Sequence, residues 1–173
     1  SNFSAWPGAR SIVFDLDDEL YIVLHLMIAG RLKWAPPGAR AARTKNVLAT
    51  FAFANGTLTL TEAGSKKRAS MHLVRGAAAL EQFDRGGLEP LEATVSEFAQ
   101  RLRSENHTVK RSLTDPRLFS GIGNAYSDEI LHRARMSPVK LTSRLTDDEI
   151  AGLRDATRTV LNEWVERLRA DAN

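Results

Sequence analysis

KRSLTDPRLFSGIGNAYSDEILHRARMSP, residues Lys110 to Pro138, decides how the rest of this 173-residue chain is read. Two short helical patterns meet there at a tight turn, Gly121-Ile122-Gly123-Asn124. The glycines permit positive φ or the close approach of another backbone, which side chains would block. Asn124 stands where the following helix, Ala125 to Arg133, is predicted to begin. A helix start exposes unpaired N–H groups, and glycines before it let an anion, most simply a phosphate, approach the backbone. The same turn also fits a plain corner between two helices. Sequence before the stretch reads as strand, and sequence after it as one long helix.

Upstream, Ser11 to Leu16 and Leu20 to Met27 read as two strands joined by an Asp17-Asp18 turn, the second strand largely buried. Ala35-Pro36-Pro37-Gly38 breaks the pattern, with Arg40, Arg43 and Lys45 in or beside that loop as solvated charge. Val47 to Phe53 and Thr57 to Thr61 alternate apolar and polar residues around Asn55-Gly56, a strong hairpin signal. Glu62 to Arg68 is a loop ending in three cations, Lys66, Lys67 and Arg68, which repel one another unless water or an anion screens them. A short strand, Ser70 to Val74, follows. Ala77 to Leu91 crosses between layers, with a domain boundary at Asp84-Arg85-Gly86-Gly87.

Thr94 to Arg103 then places Leu91, Val95, Phe98 and Leu102 on one helical face and turns Arg101 and Arg103 away from it. Thr108 to Leu113 begins a second helix, and Asp115-Pro116 a short third. Thr146-Asp147-Asp148-Glu149 is a capping box for a final helix whose stripe is Ile150, Leu153, Val160, Leu161, Trp164 and Leu168. Trp164 at that spacing reads as core rather than as a platform for a base.

Length and composition set wider bounds. A chain of 173 residues can bury a core as one domain or as two small ones. It has no Cys, so there is no disulfide framework, no thiolate zinc site and no catalytic thiol. No apolar run approaches membrane-spanning length and nothing resembles a signal peptide, so a cytoplasmic protein without membrane contact is expected. A net charge of +3 permits nucleic-acid binding without demanding it.

The ordered set Val109-Lys110, Leu113-Thr114-Asp115, Phe119 to Leu131 and Ser137-Pro138 resembles the helix-two-turns-helix signature of the formamidopyrimidine-DNA glycosylase and endonuclease VIII (Fpg/Nei) family. His25 to Leu32 is similar to the family's HLGMTGRL strand, and Gly87-Leu88-Glu89-Pro90-Leu91 to its LGPEPL linker. The resemblance runs from Gly8 to Trp164. It implies an α+β protein: an antiparallel, β-sandwich-like N-terminal half (residues 1–86, incomplete at its start), then a helical helix-two-turns-helix domain (residues 87–173). Duplex DNA is expected across a basic cleft between the halves. The implied function is base-excision repair by a bifunctional DNA glycosylase and abasic-site lyase that removes oxidised bases. Its partner would be damaged or abasic double-stranded DNA, bound by a monomer.

The resemblance also assigns roles. Lys110 is similar to a family lysine that reaches DNA, and Asn124 with the Gly123 N–H to the family's phosphate site. Asn46 lies where the family often has a DNA-contacting His. Lys66, Lys67 and Arg68 occupy the place of the DNA-inserting DPRRFG loop, so its aromatic wedge is missing. Ile28, with Met27 beside it, falls on the family's other wedge, which fills the gap left by an extruded base; periodicity alone equally allows Ile28 to be a core residue of a buried strand. Glu129 matches the acid of the motif, with a capping or buried hydrogen-bonding role as the alternative. Arg10 falls near the strand lysine that assists elimination and is the sole catalytic candidate. His25 and His72 read as structural, because the four His show no metal-ligand spacing.

The family nucleophile is the secondary amine of an N-terminal Pro, followed by a Glu, and the family usually carries a C-terminal zinc ribbon. This sequence starts Ser1-Asn2-Phe3 and ends at Asn173 without either, so no cofactor is expected in it. An internal piece of a longer glycosylase is the expected reading. Its alternatives are a shortened relative that binds damaged DNA without cutting, and an RNA-binding protein, since a small-subunit ribosomal protein has a similar helical unit. The strand-rich first half and the Gly87 to Leu91 linker speak against RNA.

Overall fold

The structure is a computed structural model that describes Phe3–Ser4 and residues 11–39 and 45–171. The chain divides into two compact units, the division falling between Leu80 and Glu81, against an expected boundary at Gly86/Gly87. In the first, β1 (Phe3–Ser4), β2 (Ser11–Asp15), β3 (Leu20–His25) and β7 (Ser70–Arg75) form one antiparallel sheet in the order β1-β2-β3-β7. β4 (Gly30–Ala35), β5 (Val47–Phe53) and β6 (Gly56–Glu62) form a second, in the order β4-β6-β5. Alternation along the strands turns Phe14, Leu24 and Leu60 inward, where they join Leu32, Phe51 and Leu58 in one cluster. Phe14 and Phe51 stack with ring centroids 5.8 Å apart, so this is the expected sandwich of antiparallel sheets.

The structure departs from two local expectations. The β5–β6 hairpin closes on a Phe53–Gly56 pair, so Ala54-Asn55 is the two-residue loop and Gly56 is the first residue of β6. Leu20 to Met27 is not one continuous strand: β3 ends at His25, and Met27 has a φ of 52° in the turn that leads to β4. Neither glycine-dipeptide statistics nor hydrophobic periodicity resolves a shift of one or two residues.

The second unit is helical. A five-residue helix, α1 (Ala77–Glu81), spans the division and is too short to show a period. α2 (Val95–Arg103) starts from a complete capping box between Thr94 and Glu97, and α5 (Asp147–Asp171) from Thr146 and Glu149, whose side chain and backbone bond reciprocally. Between them lie α3 (Val109–Thr114), α4 (Asn124–Arg133) and a 3-10 turn at Thr142–Arg144. Phe98, Leu102, Val109, Leu113, Phe119, Ile130, Ile150 and Leu153 are the centre of a single core. Three residues of the expected stripes fall outside it: Leu91 is half-buried, and Val95, in the first turn of α2, and Leu168, near the end of α5, are exposed. Trp164 is partly buried against the core, as its spacing implied.

No third helix forms at Asp115-Pro116. Leu118 and Phe119 both donate backbone N–H bonds to the Asp115 carbonyl, and the next amide, Ser120, donates instead to Leu88. That bond, with Leu88 N–H to the Leu118 carbonyl, makes a parallel bridge between the linker and the approach to the glycine turn, diverting the chain before a helix can propagate. The Asp115 carboxylate fixes the turn by accepting from the Arg117 backbone at 2.9 Å and from its guanidinium at 2.7 and 3.1 Å. The guanidinium hydrogen bond holds the Asp115 carboxyl below the usual aspartate range. A depressed carboxylate stabilises the fold fully above its unfolded value of about 3.9, and the contribution is lost as pH falls through the lower folded value. Asp115→Asn is therefore expected to be less stable than the parent at neutral pH and to converge with it in acid. Denaturant titrations across that range measure this; a gap independent of pH would exclude the ionised carboxylate as its source.

Candidate nucleic-acid interface

The glycine turn is built by what precedes it. Leu118, Phe119 and Ile122 are buried in the core, which leaves Gly121 at the surface with a φ of 72°. That left-handed conformation suits glycine and reverses the chain into α4. Gly123, in extended conformation, is the residue preceding α4, and the helix has no side-chain cap. Asn124 is thus the first helical residue rather than the cap, and its exposed side chain has no hydrogen-bond partner among the described residues. An uncapped first turn presents backbone N–H groups that have no intrahelical acceptor, together with the positive end of the helix dipole. Arrangements of this kind bind phosphate oxygens.

Lys110 lies in the first turn of α3, and its Nζ donates to Asp128 Oδ1 on α4 at 2.6 Å. Glu129 accepts from Trp164 Nε1 at 2.9 Å, and the Trp164 ring meets Tyr126 edge-on at 5.5 Å. This hydrogen bond fastens α4 to α5 through an exposed Glu129 carboxylate. The cations of α2 are likewise occupied. Arg101 donates to the Gly86 and Arg117 carbonyls, and Arg103 to the Leu145 carbonyl and to Asp147.

In the first unit the remaining candidates gather at one end of the sandwich. The register pairs His25 with Ser70, Gly30 with Glu62 and Val47 with Thr61. The β3–β4 turn, Asn46 and the β6–β7 loop therefore lie together at that end. Ile28 is 70% exposed at the tip of its turn, which excludes the core reading; Met27 beside it is 43% exposed. Arg31 braces the turn, its Nη1 donating to the Ile28 carbonyl at 3.0 Å and to the Gly30 carbonyl at 2.8 Å. Lys66, Lys67 and Arg68 are all exposed, but Lys67 folds back to the Glu62 carbonyl. The backbone N–H of Arg68 donates to both Glu62 carboxylate oxygens at 3.0 Å, and Ala69 N–H to one of them at 3.2 Å. The loop is thus wound around a buried acid, with its cationic side chains outside. Asn46 contributes a backbone carbonyl to Glu62 N–H.

His25 accepts or donates through Nδ1 to Ser11 Oγ at 2.6 Å and meets the His72 ring at 5.3 Å, while His72 Nε2 pairs with Ser70 Oγ. Among the described residues no group of three or more His, Asp and Glu is placed to hold a metal ion. Arg10, Arg40 and Arg43 lie outside the described residues.

A family model described as the formamidopyrimidine-DNA glycosylase helix-two-turns-helix domain matches residues 87–171. The chain is 33% identical over 161 residues to formamidopyrimidine-DNA glycosylase of Herpetosiphon aurantiacus, covering 91% of this chain and 58% of the relative. It is 35% identical over 161 residues to that of Chloroflexus aurantiacus, covering 91% and 56%. A solved complex between the Lactococcus lactis Fpg and DNA containing an abasic site superposes with a TM-score of 0.82 at 26% identity, covering 95% of this chain and 60% of that one. The chain belongs to the Fpg/Nei family. It spans somewhat over half the length of these relatives.

Within this Fpg/Nei chain, the residues that the sequence reading left out are those that hold the candidates in place. Glu62 had a signal: it shares the parity of Leu58 and Leu60 on β6, so alternation turns a carboxylate inward at the strand's end, where it is 2% exposed. Arg31 and Asp128 had none. Their partners depend on a turn geometry and on the approach of two helices, neither of which is written in local spacing.

Proposed function

We propose that this chain acts in base-excision repair as an Fpg/Nei glycosylase and abasic-site lyase, and that it grips damaged or abasic duplex DNA. The observation that carries the reading is the uncapped start of α4 behind Gly121 and Gly123, with exposed Asn124 at its first position and Lys110 paired to Asp128 one turn further along the same helix. The Lactococcus lactis relative, crystallised with abasic-site DNA, supports the same partner. At the sandwich end, exposed Ile28 on its braced turn is suited to enter the gap of an extruded base, and Lys66 and Arg68 to meet the phosphates around it. The family's chemistry uses the amine of an N-terminal proline, so binding and bond cleavage are tested separately.

Borohydride trapping on a duplex with one abasic site, beside a gel shift on the same duplex, tests both halves. Retention of the duplex is expected; a trapped adduct would assign an amine nucleophile to the chain itself. Failure to retain either the abasic or the intact duplex, with single-stranded or ribosomal RNA retained, would replace the proposal with the RNA-binding reading. Asn124→Ala and Lys110→Ala are each expected to weaken duplex binding by about three- to tenfold, and Lys110→Ala to lower the slope of log affinity against log salt by about one. Fluorescence anisotropy at several salt concentrations measures both effects. Unchanged affinity in both variants would move the DNA-binding face elsewhere.

A further inference from the structure

The Lys110–Asp128 pair raises a question that DNA binding alone leaves open: what a carboxylate does inside a phosphate-binding corner. Asn124 and Asp128 are four residues apart on α4, and so occupy the same face of the helix. Asp128 therefore stands one turn from the uncapped N–H groups, with Lys110 Nζ 2.6 Å from its Oδ1. Its side chain is 59% exposed and that of Lys110 35%, so water and a phosphate oxygen can both reach the pair. The lysine that is to meet DNA is neutralised by a neighbour in the DNA-free protein.

We propose that Asp128 is an internal competitor for the phosphate. It occupies Lys110 when DNA is absent and must give it up when the backbone enters, so that it sets the affinity of the helix-two-turns-helix corner for duplex DNA. The inference rests on the DNA-binding reading given above. An exposed carboxylate released from an ion pair is rehydrated at small cost, but it is left as an anion beside the DNA backbone. It also takes up a solution cation, which offsets part of the counterion release that drives binding. A carboxylate that merely aimed Lys110 at the DNA would have the opposite signature, because its removal would weaken binding.

The test is a double-mutant cycle read by fluorescence anisotropy with a short duplex carrying a tetrahydrofuran abasic analogue and with its undamaged counterpart. Asp128→Asn is expected to bind both duplexes about two- to fivefold more tightly, the range of an exposed ion pair, with a steeper salt dependence. The gain is expected to vanish when Lys110 is already alanine. Glu166→Gln removes one negative charge from α5, where Glu166 pairs with Arg169, and is expected to leave affinity unchanged. Weaker or unchanged binding by Asp128→Asn would overturn the proposal. So would an equal gain in Glu166→Gln, or a gain that persists without Lys110, because either would reduce the effect to net charge. If Asn124→Ala and Lys110→Ala weaken binding while Asp128→Asn fails to tighten it, only the competition is lost; if neither of the two weakens it, the DNA-binding face is lost as well.

Discussion

Phe98→Ala is expected to destabilise the helical unit by about 3–5 kcal/mol, and to reduce duplex binding with it. Phe98 is fully buried on α2, and its ring centroid lies 4.7 Å from that of Phe119. Phe119 in turn is the residue from which the chain runs through Ser120 into the glycine turn, and it sits opposite Leu88 in the parallel bridge. Truncating Phe98 therefore opens a cavity against Phe119, in the segment that leads into the glycine turn, and the transfer loss is joined by lost contacts around the void. A small domain has a total stability of about 5–15 kcal/mol, so this one change removes a large part of it. Phe98→Leu, which fills most of the space, is expected to cost about 1–2 kcal/mol. Amide exchange of α2, α4 and α5 measures the loss where it occurs, and anisotropy follows the binding. A change under about 1 kcal/mol in Phe98→Ala would show that the aromatic pair is not the centre of this core.

The architecture around that core was legible where the signal is local. Two capping boxes, Thr94/Glu97 and Thr146/Glu149, announced α2 and α5, because the reciprocal bonds they make involve residues three apart. Alternation marked the strands of the second hairpin, and apolar runs those of the first. The Gly121 to Asn124 turn was readable because positive φ restricts residue type. What sequence left unresolved lies at longer range. Periodicity left Ile28 equally suited to core and surface, and it is the ending of β3 at His25 that lifts it onto a turn. Asp115-Pro116 has the chemistry of a helix start, but Leu88 captures the Ser120 amide from another part of the chain. The cations were the least legible group. Lys67 and Lys110 read as solvated or DNA-facing charge, and Arg101 and Arg103 only as turned away from the apolar face, yet each has a partner within its own unit. A long flexible side chain reaches acceptors that no spacing rule anticipates.

Gly87→Ala is expected to cost about 2–3 kcal/mol, and Gly86→Ala next to it only about 1 kcal/mol. The two glycines answer to different constraints. Gly86 has a φ of 72° and open space where a Cβ would stand, so alanine there meets only the penalty of a left-handed backbone. At Gly87 a Cβ would lie 2.4 Å from the Pro116 carbonyl oxygen and 3.0 Å from the Phe119 carbonyl carbon and the Ser120 nitrogen. All three are backbone atoms, so no rotamer change relieves the clash, and the linker must move off the 116–120 segment. Such a shift breaks the bonds from Leu88 N–H to Leu118 and from Ser120 N–H to Leu88, and strains the bond from Ser120 Oγ to Glu89. These bonds connect the linker of the family pattern to the approach of its glycine turn, which is why the two segments belong to one device although they lie far apart in sequence. Amide exchange at Leu88 and Ser120 is the decisive readout: loss of protection at both in Gly87→Ala, with protection kept in Gly86→Ala, is the expected result. Equal behaviour of the two variants would mean that the linker yields freely and that the approach to the turn is shaped by the core alone.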